Sequence, residues 1–172
     1  MKTEAMIQLY TGNGKGKTTA ALGLAIRASG NGMRVFIGQF VKGMPYSELA
    51  VIESLPLIEM QQFGRDCFIK HEPEIADIEA AQAGWKLVRE IISRQSADML
   101  ILDELCIALF YKLVESSKVI ETLRNAPPEM EIIITGRYAS DELIALADLV
   151  TEMRSIKHYF DNGTEARKGI EY

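Results

Sequence analysis

The chain carries the stretch Thr11-Gly12-Asn13-Gly14-Lys15-Gly16-Lys17-Thr18-Thr19 close to its N-terminus. An apolar run over residues 5–10 precedes it and predicts a buried strand, and residues 17–29 have the composition of a helix. A strand, a glycine-rich turn and a helix start in this order are typical of a phosphate-binding loop. The glycines let successive N–H groups point inward, and the helix N-terminus adds unpaired donors. The stretch therefore predicts a nucleoside triphosphate site.

Two side chains of this loop have separate expected roles. Lys17 is placed to reach the distal phosphates, and we expect its ammonium group to face solvent when the loop is empty. The Thr18 hydroxyl is placed to ligate Mg²⁺. In the common motif, G-x-x-x-x-G-K-[ST], a glycine stands where this chain has Thr11. Either Thr11 tolerates that backbone conformation, or the loop opens one residue later, at Gly12.

Length and composition narrow the class of protein. The chain has 172 residues, of which 48% are apolar and 25% charged, so we expect a single domain over residues 1–172. The net charge of −5 argues against a nucleic-acid surface. No apolar run approaches the roughly 20 residues of a membrane span. Cys67 and Cys106 match no metal or redox spacing, which favours reduced thiols in a cytoplasmic protein.

Strand-like and helix-like segments alternate along the whole chain. This alternation predicts an α/β fold with a mostly parallel sheet and helices on both faces. Further strands are expected at residues 33–40, 57–61, 98–103, 131–135 and 149–153. A long helix is expected at residues 74–96, and shorter ones from residues 47, 105 and 116 and after Ser140.

Charged residues follow two of the expected strands. Asp103 and Glu104 end an apolar strand, which is the Walker B pattern that brings a carboxylate to the metal beside a phosphate loop. The alternative is that one of the two acids caps the next helix. Arg137 comes just after the strand at residues 131–135, where it is either a phosphate contact or an ordinary surface cation.

The residues described so far, with several further segments, resemble the ATP:corrinoid adenosyltransferases of the CobA/BtuR/CobO type over nearly the whole chain. Besides the phosphate loop, the resemblance is carried by residues 39–43, 102–105, 134–137, 157–158, 161–163 and 169–172. It implies a RecA-like P-loop fold that transfers the 5′-deoxyadenosyl group of ATP to the cobalt of a reduced corrinoid, releasing triphosphate. It also implies a homodimer and a separate electron-donating flavoprotein reductase.

The resemblance further implies roles for individual residues. Those implied to bind ATP are Gly12, Asn13, Gly14, Lys15, Gly16, Lys17, Thr18, Thr19 and Arg137. Those implied to hold Mg²⁺ are Thr18 and Glu104, with Asp103 beside them. The expected catalytic residues are Lys17, Glu104 and Arg137.

Residues 63–73 form an irregular stretch, and the second substrate is expected at residues 63–71, because long loops that follow a sheet strand are often functional. Phe63 and Phe68 are its aromatic residues, and we expect them to form the corrinoid side of the site. Phe68 would cover the cobalt face from which water or a base must be excluded. The alternative is that Phe68 only pins the loop to the core.

The chemistry needs no general base, because a reduced cobalt is already a strong nucleophile. His71 and His158 are the chain's only histidines, and each is expected to be a packing or surface residue.

A RecA-type ATPase is the competing hypothesis, in which Glu104 would orient a water for attack on the γ-phosphate. A small-molecule kinase is a third, although the sequence shows no lid for it. The reaction product distinguishes the transferase from the other two.

Overall fold

The computed structural model describes residues 5–65 and 72–172. Within these ranges the strands are β1 (Met6–Thr11), β2 (Val35–Phe40), β3 (Ile58–Phe63), β4 (Met99–Asp103), β5 (Glu131–Thr135) and β6 (Leu149–Glu152). The helices are α1 (Lys17–Gly30), α2 (Ser47–Ile52), α3 (Ile75–Arg94), α4 (Leu105–Phe110), α5 (Ser116–Arg124) and α6 (Asp141–Leu146), and a 3-10 helix covers Tyr159–Asn162. The expected alternation of strands and helices is confirmed.

The strands form one sheet in the order β3-β2-β4-β5-β1-β6, and every neighbouring pair is parallel. The register places Gln39 of β2 beside Asp103 of β4, and Tyr10 of β1 beside Thr135 of β5. The carboxyl ends of these central strands therefore meet at one edge of the sheet. In open α/β sheets this edge is where ligands bind.

Helices cover both faces of the sheet, as the sequence predicts. Side chains alternate between the two faces along each strand, so Phe36 and Ile37 of β2 belong to different apolar clusters. The larger cluster includes Trp85 of α3, and the smaller one includes Ala21 and Ala25 of α1. Because the small alanines face the sheet, α1 packs closely on β4 and β5. The start of α1 is thereby fixed next to the end of β4.

Strand β3 extends to Phe63, two residues past the end expected from the sequence. Phe63 pairs in register with Phe40 of β2, so the irregular stretch begins after Phe63 rather than at it. Its ring lies beside Gly84 of α3, where a side chain on residue 84 would collide with it. Phe63 is therefore part of the contact between the sheet and α3.

Strand β6 and the C-terminal tail are the most exposed parts of the described chain. All four residues of β6 are exposed on this edge strand. The tail turns back as the 3-10 helix Tyr159–Asn162 and contacts the phosphate loop, as detailed below. In the described ranges, no helix has both the length and the apolar composition needed to cross a bilayer.

Candidate nucleotide and metal site

The phosphate loop opens at Gly12. Thr11 is the last residue of β1, while Gly12 takes a φ of 94°, in the region that favours glycine. A side chain at Gly12 would also place its Cβ 2.5 Å from the carbonyl oxygen of Met153. The same carbonyl accepts a hydrogen bond of 2.6 Å from the Gly14 N–H. Of the two alternatives left by the sequence, the structure thus shows the shorter loop.

Lys17 does not face solvent, which corrects the sequence-based expectation. The residue is only 7% exposed, and its ammonium group donates hydrogen bonds of 2.8 Å to the Gly12 carbonyl and 2.7 Å to the Gly14 carbonyl. Burial lowers the pKa of Lys17, and the negative charge of Glu104 opposes that shift. The loop therefore folds around its own lysine, and a bound phosphate would have to replace these two carbonyl partners.

Asp103 is the buried centre of the site. The residue is 1% exposed, and each of its carboxylate oxygens has two donors. Oδ1 accepts from the hydroxyls of Thr18 at 2.9 Å and Thr135 at 2.6 Å. Oδ2 accepts from the Gln39 amide at 3.2 Å and the Lys42 ammonium at 2.8 Å. Asp103 thus links the phosphate loop to the ends of β2 and β5.

Glu104 lies at the start of α4 in a left-handed conformation, with φ at 58°. Its backbone N–H donates to the Thr135 hydroxyl at 3.0 Å. Burial, followed by the neighbouring charge of Asp103, raises the pKa of the Glu104 carboxyl. Gly136 has a φ of 136°, and a Cβ there would lie 2.7 Å from the Cβ of Cys106 and 3.3 Å from Oε2 of Glu104. A glycine at this position leaves room for the acidic side chain.

Arg137 follows β5 and is exposed. Burial lowers the pKa of Lys17 and raises that of Glu104, and the positive charge of Arg137 adds to the first shift and opposes the second. The structure therefore brings together Lys17, Glu104 and Arg137, the three residues expected to be catalytic.

Lys42, Gln39 and Thr135 are the site residues that sequence reasoning missed. The Lys42 side chain is 13% exposed and forms the ion pair with Asp103. Burial lowers the pKa of Lys42, but the charge of Asp103 opposes this, and the pKa ends above its ordinary value. Two signals were available: residues 39–43 and 134–137 carry the family resemblance, and Lys42 stands just after β2, beside the strand that carries Asp103.

The C-terminal tail binds the phosphate loop through Lys15. The Lys15 ammonium donates to the Tyr159 hydroxyl at 3.0 Å, the Ile170 carbonyl at 3.0 Å and the Glu171 carboxylate at 2.8 Å. The Tyr159 hydroxyl donates to the same carboxylate. These partners, Lys15 first, hold the pKa of Glu171 well below its usual range. Lys15 thus joins the tail to the loop rather than projecting freely from it.

The oxygen atoms around Asp103 suit a magnesium ion. The Thr18 hydroxyl and the carboxylates of Asp103 and Glu104 are the hard oxygen donors that Mg²⁺ prefers. Over residues 5–65 and 72–172 there is no cluster of three or more histidine, cysteine or acidic side chains. A site with one or two carboxylates matches Mg²⁺, which takes most of its other ligands from water and nucleotide phosphates.

The two phenylalanines expected to contact the corrinoid have different positions. Phe63 is 9% exposed in the core, with its ring centroid 5.4 Å from that of Phe40. This core position gives the expected corrinoid contact no support. Phe68 and His71 lie outside the described residues.

A parallel sheet, a glycine-rich loop before α1 and a buried acid at the end of β4 define a P-loop nucleotide-binding protein of the RecA-like type. A solved structure agrees with this class: the chain is similar to the KaiC-like protein of Pyrococcus horikoshii, with a TM-score of 0.53. The similarity covers 87% of this chain and 71% of that one, at 18% sequence identity, and so concerns the fold alone.

The family follows from comparison of sequences. Residues 3–172 match the model of the ATP:corrinoid adenosyltransferase BtuR/CobO/CobP family. The chain is 37% identical over 168 residues to the corrinoid adenosyltransferase of Escherichia coli, covering 97% of this chain and 85% of that protein. It is 38% identical over 168 residues to the corrinoid adenosyltransferase CobA of Salmonella typhimurium, with the same coverage of 97% and 85%. The chain belongs to the ATP:corrinoid adenosyltransferase family.

Proposed function

We propose that the chain transfers the 5′-deoxyadenosyl group of ATP to the cobalt of a reduced corrinoid and releases triphosphate. The observation that carries this proposal is the site at the carboxyl edge of the sheet. There, the phosphate loop and the cations Lys17 and Arg137 adjoin oxygen donors for a metal. This arrangement suits a polyphosphate leaving group. Membership of the corrinoid adenosyltransferase family indicates the acceptor, which is the cobalt of a reduced corrinoid.

In this reaction, a cobalt–carbon bond forms at C5′ while the bond between C5′ and the triphosphate oxygen breaks. Reduced cobalt supplies the electron pair of the new bond, and the triphosphate leaves with the pair of the old one. The protein's tasks are to hold C5′ in line with the cobalt and to stabilise the growing charge on the leaving group. Neither task requires a residue that removes a proton.

The residues divide this work between them. The N–H groups of the loop and the Lys17 ammonium bind the triphosphate, and Arg137 adds a further positive charge. Thr18 and Glu104 would hold Mg²⁺, which would neutralise phosphate charge when bound. Asp103 already accepts four hydrogen bonds, so its main effect would be to orient the Thr18 hydroxyl.

The product of turnover tests the proposed function. The protein should be incubated with ATP, Mg²⁺ and a chemically reduced corrinoid, and the phosphorus products separated. Triphosphate and an adenosylated corrinoid are expected in equal amounts. Formation of ADP and phosphate at the same rate with and without corrinoid would overturn the proposal in favour of the ATPase, which family membership does not favour.

Glu104→Gln tests the metal role of Glu104. The substitution keeps the shape of the side chain and removes its charge, so the Mg²⁺ concentration for half-maximal turnover should rise about tenfold or more. A Mg²⁺ titration of both proteins at saturating ATP measures this shift. Glu115→Gln is the matched control, because Glu115 pairs with Lys118 on the surface. If turnover falls while the Mg²⁺ dependence is unchanged, Glu104 is not a metal ligand.

Phe68→Ala tests the corrinoid surface. If Phe68 covers the cobalt, its loss should raise the KM for the corrinoid and leave the Kd for ATP nearly unchanged. Phe63→Ala is the contrasting variant: Phe63 lies in the core, so this change should lower the free energy of unfolding by about 3–5 kcal/mol. Loss of thermal stability in step with activity in Phe68→Ala would instead make Phe68 a packing residue.

We further propose that the chain works as a cytoplasmic homodimer and that a flavoprotein reductase keeps the cobalt of the corrinoid substrate reduced. The exposed edge strand β6, in which Leu149 is 45% exposed and Val150 is 42% exposed, supports a second copy as a partner. Light scattering after gel filtration measures the oligomeric state, and a monomer at micromolar concentration would contradict the homodimer. Turnover of an oxidised corrinoid without any added reductant would contradict the need for a reductase.

A further inference from the structure

Lys42 lies against both the hydroxyl and the carboxylate that flank the expected metal position. Its ammonium nitrogen is 2.8 Å from Oδ2 of Asp103 and 3.4 Å from Oγ1 of Thr18. The pair is largely shielded from water, because the side chains of Lys42 and Asp103 are 13% and 2% exposed. A positive charge of the protein itself therefore lies next to the oxygen atoms that would surround a magnesium ion.

We propose that Lys42 takes the place of the metal ion in the nucleotide-free site and excludes a free divalent cation, so that the metal enters only together with the nucleotide. The inference rests on the proposed function, because it takes Thr18, Asp103 and Glu104 as the surroundings of Mg²⁺.

The exclusion follows from charge and distance. A magnesium ion binds oxygen at about 2.0–2.1 Å, which is closer than the Lys42 ammonium lies to either oxygen. The ion and the ammonium would therefore compete for the Thr18 hydroxyl oxygen, and their like charges would repel strongly in a partly buried place. A free ion would have to break the ion pair, and the displaced ammonium would keep only its cation–π contact with Tyr46. A magnesium–nucleotide complex brings phosphate oxygens that offer the displaced ammonium new partners.

The surroundings of Lys42 allow it to leave without disturbing Asp103. The Lys42 nitrogen already lies 5.1 Å from the centre of the Tyr46 ring, which offers a cation–π contact away from the carboxylate. Asp103 keeps its hydrogen bond from Gln39, whose amide oxygen accepts a bond of 3.0 Å from Gln62. This amide chain fixes the orientation of Gln39, so the carboxylate remains in place when the ammonium moves.

Binding of Mn²⁺ to the nucleotide-free protein tests the proposal, since free Mn²⁺ is measured directly by electron paramagnetic resonance. Lys42→Met should bind Mn²⁺ at least about tenfold more tightly than the unsubstituted protein. Lys118→Met removes the same charge from a surface pair with Glu115 and should bind Mn²⁺ as the unsubstituted protein does. Mn²⁺ should also raise the Tm of Lys42→Met alone, because an ion that binds only the folded state stabilises it.

Equal Mn²⁺ affinity of Lys42→Met and Lys118→Met would overturn the proposal. If Lys42→Met folds poorly, Lys42→Gln keeps a hydrogen-bond donor toward Asp103 without the charge and is expected to show the same gain. The unsubstituted protein provides a test that needs no variant: it should retain Mn²⁺ with ATP and lose it without ATP. Saturable, tight Mn²⁺ binding without nucleotide would contradict the exclusion. These measurements use no corrinoid, so they are independent of the product assay.

Discussion

Lys17→Ala is expected to lower the rate of triphosphate release by about two to three orders of magnitude at saturating ATP and Mg²⁺. The Lys17 ammonium is the buried cation of the phosphate loop, and its bonds to the leaving group would strengthen as negative charge develops there. An assay of released triphosphate with a reduced corrinoid measures the effect. Full activity in the variant would exclude the loop as the site of the reaction.

The fold should survive Lys17→Ala with a small loss of stability. Lys17 donates two hydrogen bonds to loop carbonyls, at 2.8 Å to Gly12 and 2.7 Å to Gly14, so its removal costs about 1–3 kcal/mol of the free energy of unfolding. Lys118→Ala is the matched control, because it removes a surface ammonium paired with Glu115. Circular dichroism of both variants separates a catalytic loss from unfolding.

Asp103→Ala is expected to destabilise the protein by about 3–5 kcal/mol, because it leaves the Lys42 ammonium buried without its partner. The hydroxyls of Thr18 and Thr135 lose their common acceptor at the same time. Urea unfolding followed by the fluorescence of Trp85, the single tryptophan, measures the change. A free energy within about 1 kcal/mol of the unsubstituted protein would show that this network contributes little to stability.

A double-mutant cycle isolates the ion pair within this effect. Asp103→Ala combined with Lys42→Met removes both charges, so the double variant should lose less stability than the two single variants added together. Asp103→Asn is the graded control, since it keeps the shape and the acceptor oxygen for the hydroxyls. Strictly additive losses would mean that Lys42 and Asp103 are not coupled in the folded protein.

The class of the protein is determined by local features of the sequence. The glycine-rich turn between an apolar run and a helical segment specifies the phosphate loop, because only glycine adopts the conformation of Gly12 at low cost. An apolar run ending in Asp103 and Glu104 predicts β4 and its buried acid. The alternation of such segments predicts the parallel sheet. The loop and each strand and helix are readable because the residues that form one such element are close in sequence.

The details of the site were decided only by the tertiary structure. The sequence predicts Phe63 to be an aromatic residue of a loop. Pairing of β3 with β2 instead places it in the core. Lys17 was expected to face solvent, yet the curl of the loop brings two carbonyls onto its ammonium group. Lys15 meets Glu171, 156 residues further along the chain, because the tail returns past β6.

The position of Lys42 is the clearest such case. It reaches Asp103 across 61 residues of sequence, and Thr18 reaches the same carboxylate across 85. Residues 39–43 and 102–105 belong to the family pattern, but no periodicity predicts that Lys42 and Asp103 meet, because this depends on the strand order, which places β2 beside β4. The sequence by itself determined a phosphate loop, a buried acid and a parallel sheet. The tertiary structure decided which charges surround that acid, because parallel strands bring their carboxyl ends together whatever the length of chain between them.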